Sequence, residues 1–373
     1  MTARVARLER VRAAMSRLDV DALLLSLGAD LPWITGYEAM PLERLTMLVL
    51  PADGDAVLVV PQLEAPRVEE QPGLFSLRPW QESEDPVAIV ADLVGTRRRL
   101  AVSDRAWATF VLQLQARLPQ ASWQPASFVT SPLRAVKDAD EVAALAVASA
   151  AADRVAGQLV AGEIPLIGRT EADVSEDISR RLIAEGHRHV NFAIVGSGPN
   201  SASPHHDAGP RKIGPGEAVV CDFGGVLDGY CSDITRTVFT GQPPAEFRDL
   251  YAVLEAAQAA AVASAAVGMP CEDVDAVARR IITEGGYGAY FIHRTGHGIG
   301  LEEHEDPYIV AGNCDALVPG HAFSVEPGIY LAGRYGARIE DIVVAQDAGP
   351  RPLNGVDHAL AIVEHAVAQM APC

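Results

Sequence analysis

The sequence predicts an α+β chain of two domains, and three observations carry that prediction. Residues 1–131 alternate short apolar runs of strand length with helical stretches. Ser131-Pro132 then opens a long alanine-rich segment, which reads as a helix start and a new domain over residues 132–373. Residues 217–345 hold two strand-turn-strand units, EAVVCDFGGVLDGYCSDITRTVF and AFSVEPGIYLAGRYGARIEDIVVA, which offer the carboxylate pairs Asp222/Asp233 and Glu326/Glu340. At 373 residues the chain is long enough for two separate cores.

The first element is an N-terminal helix, in which Val5, Leu8, Val11, Met15 and Leu18 share one stripe. DALLLSL follows as a strand, too short and too polar-flanked to cross a bilayer. LTMLVLP, DAVLVV and RLAVSD read as further strands, with helices expected near 61–70, 86–96 and 106–118. The second domain opens on SPLRAVKDADEVAALAVASAAADRVAGQLVAG. Helices then fit TEADVSEDISRRLIAEG, AEFRDLYAVLEAAQAAAVASAAVG and CEDVDAVARRIITEGG. Helices thus precede each carboxylate hairpin, which hints at an internal duplication although no repeat is visible in the residues.

In the first hairpin, a turn centred between Leu227 and Asp228 sets Asp222 opposite Asp233. With Asp228-Gly229 as the central pair the two become diagonal neighbours. Both registers put the two side chains on one face. In the second hairpin Glu326 and Glu340 are symmetric about Gly333, so an odd-length loop places them opposite each other. Pro327 cannot donate to a ladder and belongs at a strand edge or end, where it keeps Glu326 extended. An isolated acid on a strand is ordinarily solvated or a turn former. Four acids converging on one spot repel strongly in a low-dielectric pocket unless cations separate them. Two such hairpins can bracket two metals about 3.5–4 Å apart. Between the hairpins lies His297 in GHGIG, whose flanking glycines admit close backbone approach. His304 in LEEHE and His205 in PHHD are loop histidines, and such residues taken alone are more often surface groups than catalysts.

The ordered set PHHD, CDFGGVLDGYCSDITRTV, HRTGHGIGLEEHE, SVEPGIY and GARIEDIVV resembles the M24 family of dinuclear metallopeptidases. Within it the chain is most similar to the Xaa-Pro dipeptidase (prolidase) and aminopeptidase P branch. The resemblance implies a pita-bread catalytic domain preceded by a smaller creatinase-like α/β domain. It implies metal ligation by Asp222, Asp233, His297, Glu326 and Glu340, with Asp233 and Glu340 bridging two divalent ions. Glu326 would also move the proton of the attacking water. His205 and His304 match non-ligand histidines that contact the substrate and stabilise the transition state. Arg338, two residues before Glu340, is a candidate support for its carboxylate or for the substrate. Some prolidases carry an arginine where this chain has Tyr308, so the usual anchor for a dipeptide's terminal carboxylate is missing there and strict dipeptidase specificity is left open. Arg338, Arg294 and Arg44 of a neighbouring subunit are the remaining candidates for that anchor. Oxygen-rich ligation favours Mn²⁺, with Co²⁺, Fe²⁺ or Zn²⁺ as alternatives.

The function these features imply is cleavage of Xaa-Pro bonds at a free N-terminus, most simply in dipeptides. Aminopeptidase P activity and a broader dipeptidase are the nearer alternatives. A non-catalytic peptide-binding protein or a metal-free hydrolase of the same fold is the more distant one. Thirty Lys+Arg against 49 Asp+Glu give a formal net charge of −19, which excludes a basic nucleic-acid-binding surface. The five cysteines show no CxxC pair, so neither a disulfide framework nor a cysteine zinc site is expected. With no secretion signal and no membrane span visible, a cytoplasmic protein is expected. Family resemblance further implies a homodimer, with Gly36–Arg44 as the segment covering the partner's site.

Overall fold

A computed structural model describes residues 3–364. The chain divides after Arg134 into two compact units. In the first unit the anticipated runs form strands Ala22–Leu25, Met47–Pro51, Val57–Pro61 and Arg99–Val102. Ser76–Trp80 and Ser122–Pro125 complete a six-stranded mixed sheet as its two outermost strands. Their sequences, SLRPW and SWQP, contain no apolar run to read, because edge strands bury less of each face. Helices Pro86–Val94 and Ala108–Arg117 form where expected, the first capped by Asp85, which accepts from the Ala88 amide. No helix fills 61–70. Ala65–Arg67 makes a single 3₁₀ turn there, since Pro61, Pro66 and Pro72 remove amide donors and restrict the residues before them. The N-terminal stripe becomes Ala3–Arg17, with Leu8, Val11 and Met15 buried, whereas Leu18 lies past its end and is exposed.

The division falls after Arg134 rather than after residue 131 because Ser127–Ala135 is itself a helix, with Pro132 inside it. The alanine-rich helix starts afresh at Ala139. Asp138 accepts from the Glu141 amide while the Glu141 carboxylate reaches back to the Asp138 amide. By length and composition this helix, Ala139–Val160, could cross a membrane. Its Ala152, Val155, Ala156 and Leu159 instead pack into the core of the second unit.

That unit contains two five-stranded sheets. In the first, Ala361–Val363, Ile234–Thr240, Ala218–Leu227 and His189–Ser197 lie in that order, with Tyr230–Cys231 closing a hairpin on Ala218–Leu227. Helices Ala139–Val160 and Glu171–Ala184 share a core with it through Leu159, Val174 and Ile178 against Val219, Phe223 and Val238. In the second sheet Glu305–Ile309, Gly296–Gly298, Ala322–Val325, Asp341–Val344 and Arg351–Pro352 follow one another. Helices Ala245–Ser264 and Cys271–Glu284 pack Leu254, Val274 and Ile282 against its Ile309, Phe323 and Val343. Cys221, Cys231 and Cys271 are buried thiols and Cys314 is an exposed one, so no disulfide joins the described cysteines; Cys373 lies outside the described residues.

Candidate metal centre

Strand alternation determines which side chains leave the core. Along Ala218–Leu227, Val219, Cys221 and Phe223 enter the helix-facing core, so Asp222 points the other way. Ile234 and Val238 go inward and Thr235 and Thr237 outward; Phe323 and Val325 inward, Ser324 and Glu326 outward; Ile339 and Val343 inward, Arg338 and Glu340 outward.

The registers decide between the alternatives left open by the residues. Asp222 pairs with Thr235 and Leu227 with Tyr230, so Asp228-Gly229 is the central pair and Asp233 stands diagonal to Asp222. Both turn residues have the positive φ this turn demands, 50° and 86°. In the second hairpin Leu331 pairs with Tyr335, Gly328 with Arg338, and Val325 with Asp341. That single register, centred on Gly333, sets Glu326 opposite Glu340. Both lie where the hairpin passes from one sheet to another, with Pro327 in the break between Val325 and Gly328. The two hairpins are stitched together by the Thr235–Glu340 bridge, in which Thr235 Oγ1 donates to Glu340 Oε2 at 2.6 Å.

His297 enters from the short strand Gly296–Gly298, flanked on both sides by other strands. A Cβ at Gly296 would lie 1.8 Å from the Ser324 carbonyl oxygen, and one at Gly298 2.2 Å from that of Asp306. Only glycine allows this approach. His297 Nδ1 faces the Gly298 carbonyl at 3.1 Å, which places the proton there. Nε2 points at Glu326 Oε1 at 3.2 Å, to which it donates when the ring is protonated, and at Asp233 Oδ2 at 3.8 Å; the neutral ring offers its lone pair there to a cation.

Asp233, His297 and Glu340 offer ligand atoms all within 4.8 Å of one another. Burial, and then mutual repulsion with neighbouring carboxylates, pushes Asp233 and Glu340 well above the ordinary carboxylate range. Burial also raises Asp222, against the opposing charge of Arg338. Burial works to raise Glu326 as well, yet its hydrogen bond and charge contact with His297 hold it at about 2. Asp222 Oδ1 and Asp233 Oδ1 are buried with no hydrogen-bond partner. Orphaned buried carboxylate oxygens beside an imidazole nitrogen are costly in isolation and suit a divalent cation. The donor set therefore fits the implied metals.

The metal-ligand candidates Asp222, Asp233, His297, Glu326 and Glu340 line one cavity of about 700 Å³ together with His205, His304, Arg338 and Arg294, whereas Arg44 does not. Arg338 is there and reaches Glu340 by charge and through Thr235 rather than by a direct hydrogen bond. Its Nη2 donates to Asp222 Oδ2 at 2.5 Å, Nη1 to Tyr330 Oη at 2.8 Å and Nε to Thr235 Oγ1 at 3.0 Å. The His304 ring lies tilted by 39° against that of His297, with ring centroids 3.9 Å apart. Arg294 Nη2 donates to His304 Nδ1 at 3.3 Å, which leaves the proton of a neutral ring on Nε2. Desolvation, then the charges of His297 and Arg294, push the His304 pKa down to about 4, so the ring is neutral at pH 7. His205 follows the turn Gly198–Ala202, whose start is tied down by Glu171. That buried carboxylate accepts from the Ser197 amide at 2.8 Å, Ser197 Oγ at 2.7 Å and His206 Nε2 at 2.8 Å.

Several cavity residues escape sequence reasoning. Phe192 and Ile194 come from the strand His189–Ser197, where Ile194 pairs with Asp222, and with Ile292 they form an apolar wall. The alternation in HVNFAIVGS was the available signal for that strand. Glu171 sits in an ordinary capping sequence after Thr170, and nothing local marks it as the support of a distant loop.

Comparison with known proteins follows the same division of the chain. The profile of metallopeptidase family M24 matches residues 135–347, and that of the creatinase/prolidase N-terminal domain matches residues 7–136. A probable dipeptidase PepE of Mycobacterium tuberculosis is 44% identical over 362 residues, 96% of each chain. The crystal structure of dipeptidase PepE from Mycobacterium ulcerans superposes with a TM-score of 0.90 at 43% identity, covering 97% of this chain and 98% of that one. A prolidase from Thermococcus sibiricus gives 0.91 at 37% identity, covering 97% and 100%. An Xaa-Pro dipeptidase from Bacillus anthracis gives 0.89 at 29% identity, covering 96% and 100%. The creatinase-type N-terminal domain and the pita-bread catalytic domain are thereby established, and the chain belongs to metallopeptidase family M24.

Proposed function

We propose that the protein is a dinuclear metal-dependent exopeptidase that hydrolyses Xaa-Pro bonds, with dipeptides as its preferred substrates. The observation that carries this reading is the convergence of four carboxylates, Asp222, Asp233 and Glu340 buried and Glu326 partly so, with His297 Nε2, one oxygen each of Asp222 and Asp233 being left unpartnered. Asp222 would serve one cation, His297 and Glu326 the other, with Asp233 and Glu340 shared. Mn²⁺ is the preferred occupant of this oxygen-rich set, ahead of Co²⁺, Fe²⁺ or Zn²⁺. Cations held there acidify water and polarise the scissile carbonyl.

The protein's own groups supply the rest. Glu326 Oε1 is fixed by Ser324 Oγ at 3.0 Å and faces His297, and Oε2 remains to carry a proton from water to the leaving amine. His304, neutral with its proton on Nε2, is a donor for the developing oxyanion. His205, on its braced loop, positions the peptide, and the wall of Phe192, Ile194 and Ile292 suits a proline ring. The names of the PepE and prolidase relatives support the dipeptidase reading over aminopeptidase P. The complete ligand set speaks against a non-catalytic role. A homodimer is part of the same proposal and rests on family resemblance. The test is hydrolysis of Xaa-Pro dipeptides, Xaa-Pro-Xaa tripeptides and proline-free dipeptides with added Mn²⁺. Fastest cleavage of the first group supports the assignment, and faster cleavage of tripeptides moves it to aminopeptidase P.

Replacing His304 by alanine is expected to lower kcat and kcat/KM together by roughly 10²–10³-fold, the usual cost of an oxyanion donor, with the metal content unchanged. A raised KM at constant kcat would assign His304 to ground-state binding instead.

A further inference from the structure

We propose that Arg294 binds the C-terminal carboxylate of the substrate and so makes the enzyme select dipeptides. This inference rests on the Xaa-Pro reading above and identifies the residue that limits peptide length.

A dipeptide in the cavity presents a carboxylate one residue beyond the scissile bond, and an arginine fork pairs with both of its oxygens. Three arginines could reach such a group, and the structure separates them. Arg338 is almost wholly buried, and all three of its nitrogens are committed to Asp222, Tyr330 and Thr235. Arg44 belongs to the N-terminal unit and is held by Glu43 at 2.6 Å and Glu82 at 2.7 Å.

Arg294 differs from both. It lines the cavity and is half-buried. Its Cζ lies 4.4 Å from the centroid of the Tyr308 ring, and its Nη2 contacts His304. No carboxylate among the described residues lies within ion-pair distance of it, and Nε and Nη1 have no protein acceptor there. In a chain of net charge −19 this is a cation held in place and left without a counter-charge.

Its location fits the task. The Arg294 guanidinium adjoins His304, and His304 adjoins His297 in the carboxylate cluster. The terminal carboxylate of a dipeptide lies one extended residue, about 3.3–3.6 Å, beyond the scissile carbonyl, and a hydrogen bond at each end, about 3 Å, covers the rest of that path. Tyr308 thus serves as the platform under the cation. Stacking holds a planar guanidinium at low entropic cost while leaving its edge open to a bidentate partner. The neighbouring apolar wall, with Ile292 two residues upstream, faces the ring carbons of a C-terminal proline.

The test compares kcat/KM for alanyl-proline, alanyl-prolinamide and alanyl-prolyl-alanine in the Mn²⁺-loaded wild type, Arg294→Ala and Arg294→Lys. The wild type is expected to favour the free acid over the amide by roughly 10–100-fold, the range for a hydrogen bond to a charged group. Loss of the Arg294 contact to His304 lowers both rates in Arg294→Ala, so the diagnostic is the acid-to-amide ratio. It should collapse towards one in Arg294→Ala, through KM, and recover partly in Arg294→Lys. An unchanged ratio in Arg294→Ala overturns the assignment and leaves Xaa-Pro hydrolysis standing. So does a wild type that cleaves the tripeptide as fast as the dipeptide. If the wild type cleaves none of the proline peptides, the Xaa-Pro reading fails separately, and the ratio measured with alanyl-alanine and its amide judges Arg294 alone. A chain inert to both pairs overturns both.

Discussion

Asp233→Ala should abolish peptide hydrolysis and lower the bound metal while leaving the folded chain at least as stable without metal. The two halves of this expectation have one cause. In the protein without metal, Asp233 is a buried carboxylate pressed against Glu340, Asp222 and Glu326, and one of its oxygens has no partner. Removing it relieves repulsion and an unpaid desolvation cost. With metal present, the same carboxylate is proposed to be shared by both cations. Its loss should then cost more than the roughly 10–100-fold typical of residues that only support a ligand. Elemental analysis, hydrolysis assays and thermal unfolding in chelator together check the claim. A variant with full metal loading and normal turnover would refute the assigned role. Lower stability in chelator would refute the electrostatic account.

Arg236→Met should destabilise the protein by about 3–5 kcal/mol, the cost of stranding a buried charge. Arg236 and Asp341 are both almost fully buried and meet at 2.8 Å. Arg236 Nη1 also donates to the Glu340 carbonyl at 2.7 Å, so the pair anchors the backbone that presents Glu340. His358 and Gln258 hold the other Asp341 oxygen, and they would be left against an unbalanced carboxylate. Denaturant unfolding of the chelated protein measures the loss. A change under about 1 kcal/mol would mean that water or a relaxed Asp341 replaces the guanidinium at little cost. The double change Arg236→Met with Asp341→Leu should recover part of the stability, because an apolar pair of similar volume avoids burying charge.

The carboxylate hairpins were legible because two independent local signals agree in them. Period-two alternation puts Asp222, Glu326 and Glu340 on one face, and the turn residues Asp228-Gly229 and Gly333 set the registers. The ambiguity between an opposite and a diagonal Asp222–Asp233 pair came from the choice of turn centre, which the strand register and the positive φ at Asp228 and Gly229 resolve. His297 was legible through its glycines, which the Ser324 and Asp306 carbonyls explain. The partner of Arg338 was not legible. Adjacency along its strand suggested Glu340, whereas the side chain reaches across to Asp222 in the other hairpin. The pairings of Arg294 with Tyr308 and of Glu171 with His206 likewise join residues whose contact is set by tertiary packing. In the N-terminal unit, apolar runs marked the inner strands, while SLRPW and SWQP lack the composition of a buried strand and were missed. The expected helix at 61–70 failed because Pro61 and Pro66 within it, and Pro72 just beyond, remove amide donors and restrict the residues before them.

The central claim is that these four carboxylates and His297 hold two divalent cations. Anomalous diffraction at the manganese edge, from crystals equilibrated with Mn²⁺, tests it most directly. The account predicts two peaks about 3.5–4 Å apart, with Asp233 and Glu340 between them and His297 Nε2 against one. A cavity without anomalous density, or a single ion bound away from Asp233 and Glu340, would contradict it.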